Sequence, residues 1–164
     1  MKYTVFILLI LSLCGCYRKK ARMKTGLEGK PMPSIALLAT DSSTIYNTVN
    51  INPGRPTLLF SLETWCPFCK AQTQSIISHI MLLKDINIYM ICNTQFSEFK
   101  KFANRYELNR YPNIKAGVDY NMSFERYFKS TKIPFLAIYD REKKLKQIII
   151  GKTAISTIRG IAFN

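Results

Sequence analysis

Cys66 and Cys69, spaced C-x-x-C, are the residues whose type and spacing could do chemistry in this chain. A pair of thiols at that spacing can open and close a disulfide, and the attacking species is the thiolate. The surrounding run is Ser61-Leu62-Glu63-Thr64-Trp65-Cys66-Pro67-Phe68-Cys69-Lys70. Residues 57–62 are apolar and β-prone, and good helix formers follow in an amphipathic pattern. The pattern reads as a strand delivering a dithiol to the first turn of a helix, with Cys66 at an exposed helix entrance. There the outward N–H groups and the helix dipole favour a thiolate, and Lys70 adds positive charge. Pro67 suits a first turn because its missing N–H costs nothing there. Cys69, one turn further in, is placed to resolve a mixed disulfide on Cys66.

A zinc site needs four ligands, usually from a second C-x-x-C or a histidine pair. The chain has no second C-x-x-C and one histidine, His79. An inert structural disulfide would close too short a loop to add much stability. The alternatives that stay open are a metal-binding protein without catalytic activity, using Cys66, Cys69 and Cys92, and a redox sensor whose dithiol gates a partner.

Trp65-Cys66-Pro67-Phe68-Cys69-Lys70, with its strand before and helix after, resembles a thioredoxin-fold active site. Lys132-Ile133-Pro134-Phe135-Leu136-Ala137-Ile138-Tyr139-Asp140 resembles the cis-proline loop and following strand of that family. The resemblance implies that Pro134 packs beside the dithiol with a cis bond, and that Ile133 offers backbone hydrogen bonds to an incoming peptide. The competing reading of Pro134 is an ordinary trans proline entering an edge strand. Trp65 would shield and shape the site, or serve as a core residue. No cofactor is implied beyond a redox-active Cys66–Cys69 disulfide.

The five cysteines are Cys14, Cys16, Cys66, Cys69 and Cys92, which is not the usage of a disulfide scaffold. Residues 4–13 form an apolar run after a short basic start, too short to span a bilayer but fitting a signal-peptide core. Leu13-Cys14-Gly15-Cys16 resembles a bacterial lipobox, in which Cys16 would carry the lipid. An ordinary secretory signal or an uncleaved anchor are the competing readings. The expected organisation is a lipoprotein signal peptide over 1–15, a lipid anchor and basic tether over 16–28, and a thioredoxin-like domain over 29–164. That leaves about 135 residues for one domain of common size. The net charge of +14 is spread along the chain with no nucleic-acid motif. It suits anionic lipid or acidic protein partners, or plain solubility.

The implied fold is α/β and thioredoxin-like: a central mixed sheet flanked by helices, an N-terminal β-hairpin and an inserted strand–helix unit. Strands are expected over 34–40, 45–51, 57–62, 86–93, 114–118, 135–139 and 145–150. Helices are expected from 67 to about 83, then around Phe99, Phe102, Ala103 and Tyr106 with Thr94 or Ser97 as cap, over 122–130, and over 153–162. Cys66 and Pro134 lie 68 positions apart, longer than a minimal thioredoxin needs. The extra length and the hairpin resemble the membrane-tethered TlpA/ResA type. His79 falls with Gln72 and Ser75 on the solvated side of its helix, and Cys92 reads as a packing residue or as a third redox thiol.

Two features of the resembled family are absent. The buried acid six positions before the first cysteine is here Phe60, and the glutamate six after it is Gln72. The nearest carboxylate is Glu63, a candidate proton acceptor or an ordinary surface acid. The resemblance implies a thiol–disulfide oxidoreductase of the bacterial envelope, on the periplasmic side and held by lipid. It would reduce protein disulfides rather than insert them and draw electrons from a membrane donor.

Overall fold

The computed structural model describes residues 25–164. The signal-peptide, Cys14 and Cys16 assignments, and the tether through residue 24, lie outside the described residues.

The apolar run Thr57–Leu62 forms β3, buried along its whole length. Only a central strand covered on both faces can carry such a sequence. It pairs in parallel with β4 (Asn87–Cys92), bringing Leu62 beside Cys92, and antiparallel with β6 (Phe135–Tyr139), bringing Ser61 beside Phe135. β5 (Ile114–Val118) joins β4 in parallel, and β7 (Leu145–Ile150) closes the other edge against β6. The hairpin of β1 (Ala36–Leu38) and β2 (Ile45–Asn47) attaches through Leu38 to Val118. The result is one seven-stranded mixed sheet in the order β2-β1-β5-β4-β3-β6-β7. Gly117 permits that attachment, since a Cβ there would come within 2.7 Å of the Leu38 carbonyl oxygen.

The described residues form four α-helices, α1 (Pro67–Ser78), α2 (Phe96–Arg105), α3 (Ser123–Phe128) and α4 (Ile155–Phe163). Alternation along the strands divides the core in two. Leu58, Phe60, Leu62, Met90 and Cys92 face the cluster that also holds Cys66, Cys69, Phe99 and Ile158. Leu59, Ile91, Phe135 and Ala137 face Phe124 and Phe128 of α3. The thioredoxin-like architecture is therefore the observed one, with the extra unit between β4 and β6.

Several boundaries differ from the periodicity. The hairpin strands are shorter, because Asn47 caps a 3-10 turn at Thr48–Asn50 by accepting the Val49 N–H at 3.0 Å. The first helix stops at Ser78, where His79 leaves the helical region, and a 3-10 turn at Ile80–Leu83 buries Leu83 while Met81 and Leu82 stay exposed. Neither Thr94 nor Ser97 caps α2; Gln95 holds that position without a side-chain bond. Buried Asp119 instead anchors the start of α3, accepting the Phe124 N–H at 2.9 Å.

Candidate active site

The end of β3 leads through Glu63, Thr64 and Trp65 to Cys66, which occupies the N-cap of α1 with extended backbone angles. Its N–H donates to the Glu63 carbonyl at 3.2 Å, and its own carbonyl accepts from Lys70 at 3.0 Å. The Cys66 sulfur accepts the Cys69 backbone N–H at 3.3 Å. This is the bond a serine or aspartate makes at an ordinary N-cap, with a thiol in that role. An N–H aimed at the sulfur stabilises negative charge on it. Pro67 fills the first helical position.

Burial departs from the expectation of an exposed Cys66. Its residue surface is only 5 % exposed and that of Cys69 is 0 %, while Trp65, Pro67 and Phe68 stand out to solvent around them. The N-cap bond draws the Cys66 sulfur back over the helix end, so it forms the floor of the rim. Of the pair, Cys66 alone keeps accessible surface. Trp65, 68 % exposed, belongs to the rim and not to the core.

Burial pushes the Cys69 thiol well above the ordinary range, reinforced by its hydrogen bond with Cys66 and opposed by the Glu63 backbone. Cys92 is raised too, by burial first and then by negative charge at Glu63 and Cys69. Cys66, Cys69 and Cys92 are free thiols in one hydrophobic cluster. Glu63 is half-buried, and desolvation followed by the nearby Glu125 carboxylate lifts its carboxyl to about 7.

The Ile133–Pro134 peptide is cis. Extending the antiparallel register from Ser61–Phe135 sets Pro134 level with Leu62 and Ile133 level with Glu63, at the dithiol end of the sheet. Ile133 packs against the cluster that holds both cysteines, and the Pro134 carbonyl accepts the Gly151 N–H at 2.8 Å. A cleft of about 280 Å³ runs from Trp65 and Lys70 to Lys101, Phe102 and Arg105 of α2.

Gln72 corrects the sequence reading. It is fully buried instead of solvated, and its Oε1 accepts the Thr153 N–H at 2.7 Å, tying α1 to the segment before α4. His79 is exposed, its Nδ1 within 2.9 Å of the Ser75 carbonyl oxygen. Phe60 is buried where a family acid would stand. Among the described residues, no group of three or more His, Cys, Asp or Glu is arranged to hold a metal ion. Asn93 and Glu125 escaped the sequence reading, because only the pairing of β3 with β4 and the placement of α3 bring them to Glu63.

A family profile described as Redoxin matches residues 27–159. The chain is similar in structure to StoA from Bacillus subtilis, at 14 % identity and TM-score 0.62 over 80 % of this chain and 98 % of that one. It is also similar to dsbF of MTB, at 16 % identity and TM-score 0.65 over 85 % and 96 % of the two chains. A secreted disulfide oxidoreductase of Mycobacterium tuberculosis aligns at 17 % identity and TM-score 0.60 over 78 % and 92 %. At these identities the neighbours establish the fold. No curated protein matches by sequence.

Proposed function

We propose a function from one premise: this chain belongs to the Redoxin family. It is a thioredoxin-like oxidoreductase, and Cys66 and Cys69 of its Cys-Pro-Phe-Cys segment are the pair we assign to the exchange. The observation that carries the assignment is the Cys69 N–H held on the Cys66 sulfur at the helix N-cap, with Cys69 wholly buried behind it.

In the reducing direction, Cys66 thiolate attacks one sulfur of a substrate disulfide, forming a mixed disulfide and releasing the other sulfur as thiolate. Cys69 gives up its proton, bonds to Cys66 and expels the second substrate thiolate. The substrate gains two electrons and the dithiol loses two. The oxidised pair then needs an external reductant, which we place at the membrane.

Ile133 and Pro134 are proposed as the edge on which the substrate backbone docks, because the register brings them to the dithiol end of the sheet. Trp65 is proposed as the rim that shields the mixed disulfide. Glu63 is proposed as the acceptor of the Cys69 proton. Protein disulfides of the cell envelope are the proposed substrates, with the domain held to a membrane by lipid on Cys16. The apolar run and lipobox-like segment support that placement, and no helix among the described residues is long and apolar enough to cross a membrane. The TlpA/ResA resemblance favours reduction over insertion.

Insulin-disulfide reduction with dithiothreitol tests the activity: wild type accelerates it, and Cys66→Ser does not. Equal rates for the two proteins would refute the assignment. Globomycin sensitivity and palmitate labelling in bacteria test Cys16, and a Cys16→Ala chain that still takes up label refutes lipidation there.

A further inference from the structure

The dithiol end of the sheet holds a group of side chains that the exchange scheme leaves without a role. Leu62 pairs with Cys92 in the parallel register of β3 and β4, so Glu63 and Asn93 leave the sheet side by side. Past the ends of β3 and β4, Asn93 reaches towards α3. There, Asn93 Nδ2 donates to Glu125 Oε1 at 3.3 Å. Glu63 and Glu125 are both half-buried, and neither is paired with a cation. The ion pairs among the described residues are Lys101–Glu98 and Arg110–Glu107. The basic residues nearest Glu125 along the chain, Arg126, Lys129 and Lys132, are exposed.

Cys69 on α1, Cys92 on β4 and Glu125 on α3 interact electrostatically with Glu63, Lys70 of α1 lines the cleft beside Trp65, and the loop before β6 brings the uncharged Ile133 and Pro134. With no counterion beside it, Glu63 keeps its proton to higher pH under the charge of Glu125 than it would alone.

Resting on the exchange reaction proposed above, we infer that Glu125 is a positioning residue, fixed by Asn93, that makes Glu63 a proton-sharing partner for Cys69. When Cys69 attacks the mixed disulfide, its S–H proton passes to the Glu63 carboxylate as the Cys66–Cys69 bond forms. The bond from Cys66 to the substrate breaks, and the departing thiolate takes a proton from solvent or from the pair. Glu125 touches no sulfur. Its negative charge raises the proton affinity of Glu63 towards that of a base useful near neutral pH, the direction seen for Glu63.

The test is the pH dependence of the resolution step. A mixed disulfide between Cys66 and a fluorescent peptide is allowed to decay in single turnover in wild type, Glu63→Gln and Glu125→Gln. The wild-type rate should fall about tenfold per pH unit once Glu63 protonates, because only its carboxylate accepts a proton. Glu63→Gln should lose that limb. Glu125→Gln should move the limb to lower pH, so that the variant outruns wild type at about pH 5.5. A folding defect cannot produce that gain. Asn93→Ala, which frees Glu125 and keeps its charge, should move the limb the same way by less. Carbon-13 NMR of the Glu63 carboxyl should show its titration moving down in Glu125→Gln. Superimposable rate profiles for wild type and Glu125→Gln, or an unmoved Glu63 resonance, would overturn the inference alone. A wild-type protein that forms no mixed disulfide would overturn both the inference and the exchange reading beneath it.

Discussion

Cys69 is the donor that holds the Cys66 sulfur, through its backbone N–H at 3.3 Å, and in the proposed exchange its thiol later attacks that same sulfur. The two roles use different atoms of one residue, which one helical turn allows. They also set an order: the buried thiol stays protonated while the capped sulfur reacts, and the second step waits for a proton acceptor. Cys69 carries a strongly raised thiol because it is desolvated against Cys66. The proposed exchange therefore depends on the acceptor as much as on the sulfurs.

Glu63 gives a stability signature separate from its kinetic one. Its folded-state carboxyl is raised to about 7 from 4.5, chiefly by desolvation and then by Glu125. Proton binding thus favours the native state: this contribution is complete below the unfolded value and is lost as pH rises through the folded one. Glu63→Gln, which mimics the protonated acid, should match wild type in urea unfolding at about pH 4 and exceed it at about pH 8. Equal midpoints at both pH values would contradict the burial described for Glu63.

Gln72 shows what the sequence concealed. Its position, three after Cys69 and four before Ile76, continues the inward face of α1, yet an amide there reads as polar and solvent-facing. The partner that permits its burial, the Thr153 N–H, lies 81 positions away. Replacing Gln72 with Leu should leave that N–H without a partner and cost about 1–3 kcal/mol, measured as a lower urea midpoint with unchanged m. An unchanged midpoint would mean that the bond contributes nothing net.

The same contrast runs through the rest of the molecule. The continuous apolar run of β3, the C-x-x-C and Pro67 are local signals, so the strand–dithiol–helix unit could be read from residue types alone. The end of α1 at His79 could not, since Ile80 and Leu83 continue the apolar spacing and the break is a backbone event. Nor could the depth of Cys66, because the N-cap bond that draws its sulfur inward depends on helix geometry. Asn93 and Glu125 are 32 positions apart and meet only after the sheet and α3 have formed.

Cys92 is set apart from Cys66 and Cys69 by its place at the end of β4, outside the C-x-x-C. It is nearly without exposed surface, and its thiol is raised by burial ahead of any charge. Cys92→Ala should keep insulin reduction within about twofold of wild type while costing on the order of 1–2 kcal/mol of stability from the lost packing. In native wild type, a thiol reagent should leave Cys92 unmodified and reach it only in denaturant. Rapid modification of Cys92 in the native protein, or a large loss of turnover in the alanine variant, would make it a working third thiol.

The central claim is that exchange begins at Cys66 and is finished by Cys69, and trapping tests it most directly. Cys69→Ser, incubated with a disulfide-bonded substrate protein, should accumulate a long-lived adduct that peptide mass spectrometry locates at Cys66, while Cys66→Ser accumulates none under the same conditions. An adduct carried by Cys69 or Cys92, or no adduct in the Cys69→Ser protein, would contradict the account.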